Sequence, residues 1–297
     1  FHITIKLLEY LYGMSVQRNL MGRIVYMASV VEISKIFTKQ NLKKIILDDT
    51  ILNSLTMSST KEHYDTFERL YKQLLRKYRN EYVYKNTLFN KLVLGTHSLN
   101  TTSAIVELPI VDSIADFILF NGKAVVYEIK TELDSLERLE GQLANYYKAF
   151  DIVNVVISER HYESVMQRLV DSPVGIIVLT SKMTLSVKKE PIRFNRDLDK
   201  SVWFSILRKY EFESIVKNYY GYLPETTDFE YYSACKELFV AIDMPTLYKF
   251  FITCLKNRNL HKYDDSQMKL LPNSLRSLVY FSKFSKSEYK QLAHFFK

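Results

Sequence analysis

The chain is poor in cysteine and glycine and has no long apolar run, and each shortage removes a class of protein. Only Cys235 and Cys254 occur among 297 residues, too few for the disulfide framework of a secreted domain. Both are expected as buried thiols in a reducing compartment. No stretch reaches about 18 apolar residues without a charge, so no membrane span is expected. Phe1-His2-Ile3-Thr4-Ile5-Lys6 lacks the basic start and small-residue cleavage site of a secretory signal, and a cytoplasmic location follows as the expectation. The chain begins without Met, so its true start is expected upstream. Seven glycines form no phosphate-cradling loop, and six histidines form no His-x-x-x-His pair. Together with the absence of a nucleophile elbow, this argues against an NTPase motor, a zinc hydrolase and a serine hydrolase. There is no internal repeat and no low-complexity tract.

What is present suits a globular protein of two or three packed units, with 47% hydrophobic and 25% charged residues. A formal charge of +8 favours a polyanionic partner, nucleic acid or anionic lipid. The 22 Tyr and 18 Phe are chiefly core, although aromatic faces beside basic residues also stack unpaired bases.

Hydrophobic periodicity divides the chain in three. Residues 1–75 read as a helical region, with Leu20, Ile24, Met27 and Val31, then Phe67, Leu70 and Leu74, at helical spacing. Ser58-Ser59-Thr60 provides an N-cap for the run that follows, which continues to Glu81 or breaks near Asn80. Residues 76–190 change character. Ala104 to Val111, Asp116 to Phe120, Lys123 to Thr131, Ile152 to Ser158 and Val174 to Thr180 are short and β-branched. A marginal strand follows at Met183 to Lys188. Leu133 to Phe150 and Tyr162 to Val170 have helical spacing, so the middle region is an α/β layer structure. Pro191 and Asn195-Arg196-Asp197 mark a boundary. Residues 191–297 then carry helices at Val202 to Tyr219, Tyr231 to Ile242, Pro245 to Leu255 and Leu275 to Phe296.

Candidate chemistry lies in the middle region. Glu128 and Lys130 are two apart on a strand and so share a face. Both Glu128 and Asp116 interrupt apolar runs, where a charge requires a partner or a metal. A two-residue Asn121-Gly122 hairpin would put Asp116 opposite Tyr127 and away from Glu128. A three-residue loop Phe120-Asn121-Gly122, with Gly122 left-handed, returns Asp116 to the face of Glu128 and Lys130, and this loop is the one expected. On one face, Asp116 and Glu128 suit Mg²⁺, with Mn²⁺ as a substitute. Glu81 is a further metal ligand reaching in from the preceding helix, and Lys130 orients water or stabilises the phosphorus. Gln142 and Tyr146, at i and i+4, share a helix face toward the phosphate or the lysine. The C-terminal Lys283, Lys286 and Lys290 alternate with aromatics and are candidate nucleic-acid contacts, against a reading as an amphipathic packing helix.

Taken together, Ser113-Ile114-Ala115-Asp116, Tyr127-Glu128-Ile129-Lys130 and Gln142-Leu143-Ala144-Asn145-Tyr146 resemble the PD-(D/E)XK nuclease superfamily, in particular the RecB-like branch with a Gln-x-x-x-Tyr motif. Arg79-Asn80-Glu81-Tyr82-Val83-Tyr84-Lys85-Asn86 is similar to the start of an uncharacterised bacterial subfamily. The resemblance covers roughly residues 76–190. It implies an αβββαβ restriction-endonuclease-like core with a mixed sheet, flanked by helical regions, and Glu81, Asp116, Glu128 and Lys130 as the essential residues. The implied activity is Mg²⁺-dependent hydrolysis of phosphodiesters, with DNA preferred, RNA or tRNA as the alternative, and a role in defence or as a toxin. A non-catalytic binding module on a nuclease scaffold is the reading from another class. The helical flanks are expected to serve an oligomer or a protein partner.

Overall fold

A computed structural model of the chain describes residues 15–18, 24–27, 29–48, 52, 63–260, 262–282 and 284–296. Chain contacts divide it into two compact units, one made of residues 1–91 and 263–297 and the other of residues 92–262.

In the first unit, strands β1 (Ser15–Arg18) and β2 (Ile24–Met27) pair antiparallel. Ile24 and Met27 were expected on a helix. Their spacing of three fits one, but Ile24-Val25-Tyr26 is β-branched and aromatic, a composition that favours a strand. Helices α1 (Val30–Ile36) and α2 (Lys39–Leu47) follow. The expected cap at Ser58-Ser59-Thr60 lies outside the described residues. Helix α3 (His63–Lys77) buries Phe67, Leu70, Tyr71 and Leu74, one stripe at helical spacing. It stops before Asn80, whose side chain accepts from the Val83 amide at 3.3 Å and caps α4 (Glu81–Leu88). A π-helical stretch, Phe89–Leu94, continues from it.

The second unit is built on a six-stranded mixed sheet: β3 (Ser103–Ile110), β4 (Ser113–Phe120), β5 (Ala124–Lys130), β6 (Val153–Ser158), β7 (Gly175–Leu179) and β8 (Leu185–Lys189), in that spatial order. Pairing is antiparallel from β3 to β5, parallel from β5 to β7 and antiparallel again at β8. Helix α5 (Leu139–Tyr147) joins β5 to β6, and α6 (Tyr162–Leu169) joins β6 to β7, as parallel neighbours require. Every residue of β5 is buried, so both faces of the sheet are covered at this strand. Helix α5 starts later than the expected Leu133, because Asp134 Oδ2 accepts from the Thr131 amide and hydroxyl at 2.8 and 2.7 Å and ties residues 131–134 into a turn.

Helices α7 (Lys200–Ile206), α8 (Lys209–Tyr220), α9 (Asp228–Ala241) and α10 (Met244–Asn257) complete this unit. The single helix expected over Val202 to Tyr219 is interrupted by extended backbone at Leu207 and Arg208. Phe204, Phe212, Phe239 and Phe251 join Ile118, Val126 and Val155 in one core on the α5 face of the sheet. Cys235 is buried within it and Cys254 lies at its margin. The remaining helices, α11 (Asp265–Lys269), α12 (Arg276–Phe281) and α13 (Lys286–Phe295), belong to the first unit. Here the helix expected from Leu275 to Phe296 is two helices, the second opened by a Ser285/Glu288 capping box. No described helix is long and apolar enough to cross a membrane.

Candidate functional site

The turn between β4 and β5 decides whether the two carboxylates meet. It consists of Asn121-Gly122-Lys123, one residue later than expected, because Phe120 pairs with Ala124 and Phe117 with Tyr127. Gly122 has φ +67°, a left-handed conformation that glycine adopts without steric cost. The loop still holds three residues, so the parity argument survives. One step along the same register sets Asp116 across from Glu128. There the ladder ends, and Asp116 Oδ2 accepts the Ile129 amide at 2.7 Å in place of a backbone carbonyl.

Glu128 is 1% exposed. Its two oxygens are divided between two strong partners: Lys130 Nζ lies 2.8 Å from Oε1, and the Tyr146 hydroxyl donates to Oε2 at 2.6 Å. Lys130 also donates to Gln142 Oε1 at 2.7 Å. Gln142 and Tyr146 thus reach the same strand from successive turns of α5, as their i, i+4 spacing requires. Tyr146 additionally lies 2.7 Å from the Ile114 carbonyl, so one phenolic proton serves two acceptors. Burial, and then the charge of Glu128, push this phenol well above its ordinary value.

Asp116, Glu128, Lys130, Gln142 and Tyr146 are accordingly one hydrogen-bonded or electrostatically coupled group. Asn145, on the same helix, was not assigned a role from sequence. Its amide donates to Ser113 Oγ at 3.0 Å, which fixes α5 to the start of β4. Glu81 belongs to the other unit, where it opens α4 with its side chain about half exposed and forms an ion pair with Lys85. Lys283 lies outside the described residues. Lys286 and Lys290 are exposed on α13, whose opposite face buries Tyr289 and Leu292.

The donor chemistry of Asp116 and Glu128 suits a hard divalent cation such as Mg²⁺, which takes few protein carboxylates and keeps several waters. Each Glu128 oxygen retains a lone pair beyond its present partner. Among the described residues, no three His, Cys, Asp or Glu side chains come together as metal donors.

The family model described as Bacteriophage P4 protein cII matches residues 75–279 of this chain. Protein cII of Enterobacteria phage P4 is 31% identical over 176 residues, which are 57% of this chain and 64% of that protein. The chain thus spans less than two thirds of the length of that relative. No solved structure matches.

Proposed function

The chain belongs to the family of bacteriophage P4 protein cII, and we propose that it is a Mg²⁺-dependent nuclease of the PD-(D/E)XK type, acting on DNA in preference to RNA. The observation that carries this reading is the Glu128–Lys130 pair, with Asp116 set across the strand and Gln142 and Tyr146 reaching in from α5. The order α4, β3, β4, β5, α5, β6 supports a restriction-endonuclease-like core in the same proposal. Asp116 and Glu128 would hold the cation; when bound, the ion would acidify a water and neutralise charge on the phosphate.

The chain's own residues have separable tasks. An ammonium has three N–H donors. Lys130 gives one to Gln142 and is ion-paired with Glu128, which leaves donor capacity for a phosphate oxygen or the attacking water. Tyr146 holds the Glu128 carboxylate in place, and the Ile129 amide holds that of Asp116.

A second reading, a nucleic-acid-binding module without catalysis, is favoured by the satisfaction of both Glu128 oxygens within the protein. One experiment separates the two. Purified protein is incubated with linear, circular and single-stranded DNA and with RNA, including tRNA, in Mg²⁺, Mn²⁺ or EDTA. Cleavage is expected with either metal and is lost in EDTA. Asp116→Ala and Glu128→Ala should each lower it at least about a hundredfold, roughly 2.7 kcal/mol of barrier. Binding without cleavage of any substrate would select the second reading, and parental cleavage by both variants would place the activity at another site.

A further inference from the structure

At the other end of the β4–β5 hairpin, about 13 Å along the strand from Asp116, the turn faces helix α10 across a cavity of about 400 Å³. Lys123 comes from the turn, Arg193 from the segment after β8, and Lys249 and Lys256 from the helix. Asp151 is the one carboxylate in the lining, so four cations and one anion leave a net charge of +3. Lys249 and Lys256 are seven residues apart, two helical turns, and therefore share the face turned to the cavity.

The cavity has a built wall. Asp151 is 5% exposed. It accepts from the Tyr248 hydroxyl at 2.7 Å and forms an ion pair with Arg193, whose Nε lies 3.0 Å from Oδ2. The two terminal nitrogens of Arg193 have no acceptor among the described residues, and Lys123, Lys249 and Lys256 form no ion pair there. Lys123, Lys249 and Lys256 are like charges around one space that repel one another, and no carboxylate there pairs with them. Their arrangement is accounted for by an anion.

We propose that this cavity binds the phosphate backbone of a nucleic-acid strand. Helical rise separates the Cα atoms of Lys249 and Lys256 by about 10 Å, so the cations are spread along the cavity, as a run of phosphates requires. The site lies apart from the carboxylate group and requires no cleavage. Its test is read by binding alone, and its failure leaves the cleavage experiment untouched.

Anisotropy of a fluorescein-labelled single-stranded 20-nucleotide DNA is titrated with the whole protein in EDTA over a NaCl series. Lys123→Ala/Lys249→Ala/Lys256→Ala is compared with Lys72→Ala/Lys182→Ala/Lys217→Ala, an equal loss of charge at exposed positions elsewhere. The cavity variant should bind at least about tenfold more weakly at low salt. Its slope of log K against log salt should fall by about 2, or about 0.7 for each of three contacts. Lys249→Glu, a single change at an exposed residue, should weaken binding in the same direction. Equal losses in the two triple variants, or no loss in the cavity variant, would overturn the proposal. So would stabilisation of the parent, but not of the variant, by millimolar AMP or inorganic phosphate with the oligonucleotide slope unchanged, which would make the cavity a site for small phosphates.

Discussion

Glu128 keeps a carboxylate in a fully buried strand because Lys130 and Tyr146 each take one of its oxygens. Removing one partner of such a pair is costly, since the other remains buried and uncompensated. Lys130→Met should therefore destabilise the protein by about 3–5 kcal/mol, measured by urea unfolding. Adding Glu128→Gln to Lys130→Met should recover part of that loss, because the remaining amide no longer carries a buried charge. Strictly additive losses would show that the two side chains do not interact in solution. At this scale, the sequence displayed two charges interrupting apolar runs, which is enough to call for partners. It did not display the Ile114 carbonyl or the Ile129 amide as the groups that hold Tyr146 and Asp116, because backbone partners carry no residue-type signature.

Elements were legible where a local chemical signal marked them and obscure where the interruption was a matter of packing. Asn80 ends one helical pattern and caps the next, and Ser285-x-x-Glu288 is a capping box that could have revealed the break within Leu275 to Phe296. The break at Leu207 and Arg208 has no Gly, Pro or Ser/Thr/Asp/Asn cap to announce it, only Glu211, which accepts the Arg208 amide at 2.8 Å. There the chain turns so that Glu211, on α8, meets Arg258 just beyond α10, with Nε 2.8 Å from Oε1 and Nη2 2.6 Å from Oε2. Burial acts to raise the Glu211 pKa, but the hydrogen bonds from Arg258 and the Arg208 amide outweigh it and hold the carboxyl below its ordinary value. A depressed carboxylate contributes stability above its unfolded pKa of about 4.3, and that contribution is lost as pH falls through the folded value. Glu211→Gln should lower stability at neutral pH and flatten its fall below about pH 4, as read from urea midpoints across a pH series. A variant that keeps the parental acid limb would show that the pair carries no linkage.

At the level of the whole molecule, residues 92–262 form a unit with their own core, from Ile105 on the sheet to Leu255 on α10. A domain with its own core can fold alone. A fragment of residues 92–262 should accordingly unfold in one cooperative urea transition, by far- and near-ultraviolet circular dichroism alike. Non-coincident transitions would show that the rest of the chain is needed to complete the core. The same fragment contains Asp116, Glu128, Lys130 and the basic cavity but not Glu81, so comparing its cleavage with that of the full chain isolates what the first unit contributes.

The sequence by itself determined the α/β class, the succession of strands and helices between Ser103 and Lys189, and the common strand face of Glu128 and Lys130, because these rest on periodicity and on residues two apart in one strand. It also determined that Gln142 and Tyr146 act from one helix face. The tertiary structure alone decided the turn residues, and hence the pairing of Phe120 with Ala124, since loops of the same length one residue apart share their local chemistry. It alone placed Arg193 and Lys249 beside the Asn121-Gly122-Lys123 turn. Residues 70 or more positions from that turn are brought to it by the burial of helices on the sheet, a collective packing preference that no local pattern encodes.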